Sequence, residues 1–283
     1  MDIYHKKNDL YLFIENLKSQ NLTIGLVPTM GALHQGHLSI IKKALKENDK
    51  VFVSIFVNPT QFDNKEDLEK YPRTFETDIK LIKSLSKDHI IIYAPNVEDV
   101  YGDNVNATDF YFDGLEDTME GKFRLGHFDG VGTIVKRLFE IVKPDNAYFG
   151  EKDFQQLMII KKLVEKFNLP VHVIGCEIYR EKDGLAMSSR NLRLKPEYRK
   201  EAPFIYRTLK LAKRKFATKS ANKVVEWVEK QFKKNDVLRL EYFSITEAST
   251  LRTFKRKSKK KSYRAFIAVH ADDIRLIDNI ALN

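Results

Sequence analysis

The 283-residue chain predicts an α/β fold: a parallel sheet with helices on both faces, followed by a smaller α+β domain. Three observations carry this. Apolar, β-leaning runs alternate with helical patterns through the first two-thirds of the sequence. Two of the runs, within Lys50–Val57 and His89–Tyr93, are continuously apolar, as strands buried on both faces are. After about residue 180 the order changes to helices followed by strands. The expected domains are therefore 1–179 and 180–283.

The elements follow in order. Asn8–Lys18 reads as a helix, Thr23–Val27 as a strand, and His37–Glu47 as a helix through Leu38, Ile40, Ile41, Ala44 and Leu45. Lys50–Val57 is the next strand. Thr74–Ser86 is amphipathic, with Phe75, Ile79, Ile82 and Leu85 on one side. His89–Tyr93, Asn146–Phe149 and Val171–Ile174 are strands, and Phe128–Val142 and Asp153–Phe167 are helices. Residues 102–125, polar and glycine-containing, break the rhythm as either a flap or a long connection. Pro196–Phe216 and Ala221–Lys234 read as helices, and Leu238–Thr246 and Tyr263–His270 as strands. The basic run Lys255–Lys261 lies between those strands. Such a run suits nucleic acid or phosphate, but a solvated loop is its commoner identity.

Composition narrows the class. Hydrophobic residues make up 43% and the net charge is +10, which suits a polyanionic partner without choosing one. The single cysteine, Cys176, allows no intrachain disulfide and fits a reducing compartment. No apolar run is long enough to cross a membrane, and the first residues lack the apolar core of a signal peptide. A cytoplasmic location is expected.

One stretch organises the chain: Pro28-Thr29-Met30-Gly31-Ala32-Leu33-His34-Gln35-Gly36-His37. It joins a strand to a helix whose N-terminus is expected near His37. The free N–H groups and the helix dipole at such a junction attract anions. Gly31 and Gly36 allow a sharp turn and close approach to a ligand. His34 and His37 sit three residues apart, so both can face one pocket, and imidazole N–H groups can bind phosphate oxygens; the alternatives are surface caps of the helix or half of a metal site. Zinc is disfavoured, because no further ligand pair lies nearby in the sequence. Asn58-Pro59-Thr60-Gln61-Phe62 follows a buried strand and offers amides that orient hydroxyl and carboxylate groups. Phe149-Gly150-Glu151-Lys152-Asp153-Phe154-Gln155-Gln156 offers a Lys point charge at another strand–helix junction. Asp153 suits an N-cap there, and Gln156 enters one turn later. Met187-Ser188-Ser189-Arg190-Asn191 offers two hydroxyls and a guanidinium for phosphate. The motifs at residues 28–37, 58–62 and 149–156 follow strands directly and are expected at one sheet edge.

Together with Tyr71-Pro72-Arg73-Thr74, Gly126-His127-Phe128-Asp129-Gly130-Val131 and Arg275-Leu276-Ile277-Asp278-Asn279, these motifs resemble, in order along nearly the whole chain, the pantoate–β-alanine ligase family. That family belongs to the nucleotidyltransferases related to class I aminoacyl-tRNA synthetases, so the resemblance implies a Rossmann-like sheet. It also implies a reaction in two steps. The carboxylate of (R)-pantoate attacks the α-phosphorus of Mg-ATP, and the amine of β-alanine then displaces AMP from the acyl group. The resemblance implies an ATP site built from Met30, Gly31, Ala32, Leu33, His34, Gln35, Gly36, His37, Gly150, Glu151, Lys152, Asp153, Tyr179, Met187, Ser188, Ser189 and Arg190. Catalytic roles fall to His37 as proton donor, His34, Lys152 and Arg190. Gln61 and Gln156 would hold pantoate, with Gln61 also near β-alanine, and Tyr179 would meet adenine through its backbone. Mg²⁺ is implied with ATP, and a homodimer without nucleic-acid or membrane partners. The chain departs from the family pattern in having Leu125 where proline is expected, and a lone Asp78 where adjacent aspartates occur, which leaves the metal ligand unassigned. Rival expectations are an adenylyltransferase acting on a phosphate acceptor, and an RNA-binding protein using residues 255–261.

Overall fold

A computed structural model describes residues 1–62 and 65–283. They form two compact units, Met1–Glu151 with Gln156–Glu177, and Lys152–Gln155 with Ile178–Asn283. The first unit holds strands β1 (Ile3–Tyr4), β2 (Ile24–Thr29), β3 (Lys50–Ile55), β4 (Ile90–Tyr93), β5 (Asn146–Gly150) and β6 (His172–Cys176). Its helices are α1 (Lys7–Ser19), α2 (Gln35–Glu47), α3 (Lys65–Glu69), α4 (Phe75–Lys83), α5 (Val97–Tyr101), α6 (Glu120–Phe123), α7 (His127–Val142) and most of α8 (Phe154–Lys166).

The strands run β1-β4-β3-β2-β5-β6, and every neighbouring pair is parallel. The sheet winds outward from β2 in both directions. This makes the carboxyl ends of β2 and β5 the switch point, where open α/β sheets take their ligands. Val51, Phe52 and Val53 are all fully buried. Successive strand residues point to opposite faces, so both faces of β3 are covered. β1 was not expected; its Ile3–Tyr4 pair is too short for any periodicity to show.

The 102–125 segment is fastened from Thr108 onward. The backbone N–H of Thr108 donates to the Thr133 hydroxyl at 2.8 Å, and that of Phe110 donates to Asp129 at 2.9 Å. Phe112, Leu115 and Met119 are buried. The segment therefore has a core-forming middle, which its polar composition hid.

The second unit contains α9 (Pro196–Glu201), α10 (Phe204–Phe216), α11 (Ala221–Phe232) and an antiparallel sheet of β7 (Arg239–Glu247), β8 (Tyr263–Ala271) and β9 (Ile274–Ala281) in that order. The single helix expected over Pro196–Phe216 is two. Pro203 has no N–H to donate and its ring crowds the preceding turn, so the chain restarts at Phe204. β9 was not expected as a strand, because adjacent Asp278 and Asn279 interrupt its apolar pattern. Residues 255–261 lie between β7 and β8. Lys257 is held by the carbonyls of Phe216 and Lys219, and Lys261 pairs with Glu247 at 2.6 Å. Among the described residues, no helix is long and apolar enough to cross a membrane.

Candidate active site

The loop after β2 is shaped by two consecutive left-handed residues, Gly31 (φ 79°) and Ala32 (φ 49°). For an alanine this conformation costs about 1–2 kcal/mol. Asp78, on the first turn of α4, offsets it. The carboxylate is 1% exposed and accepts from the N–H of Ala32 at 3.0 Å, the N–H of Leu33 at 2.8 Å and the hydroxyl of Thr74 at 3.2 Å. Hydrogen bonds to an ionised acceptor are about twice as strong as neutral ones. A Cβ at position 31 would lie 3.1 Å from Asp78 Oδ2, so glycine also makes room for the carboxylate. The expectation that Gly36 shares in the turn is corrected. Gly36 lies in the first turn of α2, and Ala32 supplies the second left-handed residue because Asp78 holds it there.

The helix begins at Gln35, two residues earlier than expected, with His34 as its N-cap. The N–H of Gly36 donates to His34 Nδ1 at 3.1 Å, and the N–H of His34 donates to His37 Nδ1 at 3.3 Å. A backbone N–H only donates, so both Nδ1 atoms are acceptors and each neutral ring carries its proton on Nε2. The rings stack with centroids 4.0 Å apart. Two imidazoles are thus locked side by side, in one tautomer, at the positive end of α2.

The 3₁₀ turn Pro59–Gln61 follows β3. Gln61 Nε2 donates to Met30 Sδ at 2.9 Å, which joins this turn to the β2 loop. Asn58 is 1% exposed and anchors the turn from beneath. Its Nδ2 donates to Gln61 Oε1 and to the carbonyl of Gly130, each at 3.2 Å, while its Oδ1 accepts from Tyr101 at 2.6 Å and Thr60 at 3.2 Å. Burial pushes the Tyr101 hydroxyl up from its ordinary pKa, so it remains a donor. Asn58 therefore faces protein, although its residue type had suggested a substrate contact. His127 bonds the Gln61 carbonyl through Nδ1 at 2.9 Å and meets Arg124 through Nε2 at 3.1 Å. The guanidinium donates, so His127 carries its proton on Nδ1 and gives it to Gln61. Gly130, Tyr101 and the positioning role of His127 were not read from the residues. Their signal is the tight packing of α7 on this turn, which has no sequence periodicity.

The carboxyl ends of β2, β3 and β5 share one sheet edge, since Thr29 lies opposite Ile55 and Gly25 opposite Asn146 in parallel register. Met30–His37, Gln61 and Glu151 follow those ends, and Gly150 is the last residue of β5. Gln156 is half-buried on the first turn of α8. In the second unit, Asp153 closes the 3₁₀ turn Glu151–Asp153 and lies 3.9 Å from the Lys152 ammonium. Tyr179 is 42% exposed, and its carbonyl accepts from the N–H of Met187 at 3.0 Å. Ser188 caps the short turn Ser189–Arg193, accepting from the N–H of Arg190 at 3.3 Å. Met187, Ser189 and Arg190 are half-buried around it. Among the described residues no cluster of three or more His, Cys, Asp or Glu side chains forms a metal cage, and Asp78 is committed to backbone amides.

Relatives carry the same architecture. Pantothenate synthetases of Christiangramia forsetii and Flavobacterium psychrophilum are each 57% identical over 100% of both chains. A pantothenate synthetase crystal structure from Thermus thermophilus superposes with a TM-score of 0.88 at 36% identity, covering 100% of this chain and 99% of that one. A Francisella tularensis pantoate-beta-alanine ligase, complexed with "Beta-gamma ATP and Beta-alanine", gives 0.81 at 35% identity, over 100% of this chain and 98% of that one. A family model described as pantoate-beta-alanine ligase matches residues 2–281. With the family model spanning residues 2–281 and relatives 57% identical over the whole chain, this chain belongs to the pantoate–β-alanine ligase family.

Proposed function

We propose that the chain condenses (R)-pantoate with β-alanine, using ATP, through a pantoyl adenylate, and that the residues above divide the work. As a family member the chain is an ATP-dependent ligase. The observation that carries the residue assignment is the His34–His37 pair, whose two Nε2–H donors are fixed at the N-terminus of α2. Charge that develops on phosphate oxygens during attack at the α-phosphorus meets fixed donors there, with no reorganisation of the protein. Met30–His37, Gly150, Glu151 and Asp153 bind ATP, Tyr179 through its backbone. Lys152, Ser188, Ser189 and Arg190 bind phosphate oxygens. Gln61 and Gln156 hold pantoate by its hydroxyl and carboxylate groups, and Gln61 also borders β-alanine.

In the first step a pantoate carboxylate oxygen bonds the α-phosphorus, the α–β phosphoanhydride breaks, and pyrophosphate leaves; His37 donates to it. In the second, the amine of β-alanine bonds the acyl carbon, the acyl–phosphate C–O bond breaks, and AMP leaves as the nitrogen gives up a proton. Positioning supplies most of the acceleration in both steps. Magnesium would arrive with ATP and offset the charge of its phosphates, since among the described residues no cluster of His, Cys, Asp or Glu would hold the ion. A cytoplasmic homodimer completes the reading, by the family resemblance. The test is a single turnover with ATP, magnesium and (R)-pantoate, without β-alanine. A pyrophosphate burst equal to the enzyme concentration is expected, followed by AMP and pantothenate when β-alanine is added. No product with all three substrates overturns the assignment.

A further inference from the structure

The Arg275–Asn279 motif has no part in the chemistry above, yet it contains two adjacent buried polar residues. Asp278 is 4% and Asn279 1% exposed, in β9. Neighbouring strand residues point to opposite faces, so the pair reaches two different places. The Asp278 carboxylate takes the Arg180 guanidinium as a fork, at 2.6 Å and 2.9 Å. The same guanidinium donates to the carbonyls of Gly184 at 3.2 Å and Asn279 at 3.3 Å and stacks 3.6 Å from the Tyr206 ring centre. Arg180 and Ala186 form a backbone bridge, so this anchor closes the hairpin that leads directly into Met187–Arg190. On the other side, Asn279 Nδ2 donates to the backbone carbonyl of Lys152 at 2.8 Å. Asn279 Oδ1 accepts from Arg264, and its N–H donates to Asp278 Oδ1 at 2.7 Å. Burial pushes the Asp278 carboxyl up, against the pull of Arg180, the Asn279 N–H and the Lys152 ammonium.

We propose that Asp278 and Asn279 are positioning residues for phosphate binding: one step of β9 fixes both Lys152 and the loop carrying Ser188, Ser189 and Arg190, so that their cations and hydroxyls meet the same nucleotide. This rests on the phosphate roles proposed above. The β9 pair adds a rigid seat for groups carried on short turns, which have little structure of their own to hold them. A displacement of about 1 Å in such groups costs on the order of a hundredfold in rate.

The test is a double-mutant cycle between Asn279→Asp and Lys152→Ala, read by single-turnover pyrophosphate release with melting temperature alongside. Asn279→Asp keeps an acceptor for Arg264 but sets an oxygen against the Lys152 carbonyl. We expect this variant to slow pyrophosphate release about tenfold to a hundredfold, with KM for pantoate unchanged. Added to Lys152→Ala it should slow release no further. Asn279→Ser, read in the same way, replaces it if its melting temperature falls to the assay temperature. Arg180→Lys, which keeps the charge but cannot fork, should slow the same step. Wild-type release from the Asn279 variant beside a slow Lys152→Ala enzyme overturns the inference and leaves the ligase reading intact. A Lys152→Ala enzyme as fast as wild type instead removes the phosphate role on which the inference rests.

Discussion

Gly130→Ala tests whether α7 sets the position of Gln61. A Cβ at residue 130 would lie 2.2 Å from the Thr60 carbonyl oxygen, 2.5 Å from its carbon and 2.6 Å from Gln61 Cα. All three are backbone atoms, so no rotamer change relieves the clash. Ordinary carbon contacts begin near 3.5 Å, and the helix and the turn must therefore part by about 1 Å. Overpacking of this kind costs about 1–3 kcal/mol. The Asn58–Gly130 bond at 3.2 Å and the His127–Gln61 bond at 2.9 Å stretch with it, each worth about 1 kcal/mol. A total of about 3–5 kcal/mol lowers the melting temperature by about 6–20 °C in a unit of this size. Gln61 moves with the turn, so KM for pantoate should rise about tenfold to a hundredfold. Calorimetry and initial rates at varied pantoate check both numbers. An alanine variant with wild-type melting and wild-type KM for pantoate would refute the reasoning.

Asp78→Asn leaves the N–H groups of Ala32 and Leu33 facing a neutral amide, so stability should fall by about 2–4 kcal/mol and KM for ATP should rise; urea unfolding and ATP titration read the two effects. His37→Ala should still bind pantoate, seen by equilibrium dialysis, while turnover drops a hundredfold or more; activity within a few-fold of wild type contradicts its role. Cys176 is 4% exposed and burial pushes its thiol up to about 11, so an aromatic disulfide reagent at pH 8 should react with it only after denaturation. Glu241 is pushed up by burial, but Arg275 and then His270 pull its carboxyl lower on balance. That stabilisation is present above the unfolded carboxylate value and is lost as pH falls through the folded one. Wild-type melting should therefore drop below about pH 4, and Glu241→Gln should flatten that part of the profile.

The sheet was legible because strands buried on both faces leave nearly continuous apolar runs, as in Val51–Val57, where only Ser54 is polar. The helices over α2, α4, α7 and α8 were legible because their buried faces recur at helical spacing. The β2 loop was legible from its histidines and Gly31. What escaped belongs to long-range polar contacts. Asp78 stood out only as a lone aspartate that left the metal ligand unassigned, because nothing in its neighbourhood names Ala32 and Leu33 as its partners. Asn58 looked like a substrate contact, because an amide reads the same whether it faces solute or protein. β9 was hidden by the very pair of polar residues that gives it a purpose. Only the split at Pro203 was available in the sequence and missed, since proline inside an apolar pattern reads equally well as a helix start.

The tether between Asn279 and Lys152 spans 127 residues of chain. Contacts so distant in sequence form late, because loop-closure entropy must be met before they are gained. During synthesis the sheet of β1 to β6 can assemble well before β9 leaves the ribosome. Lys152 is made early and seated last. A newly made chain therefore passes through a stage in which the sheet is complete and Lys152 is not yet held by Asn279. On dilution from denaturant, the circular dichroism of the parallel sheet should return ahead of ligase activity.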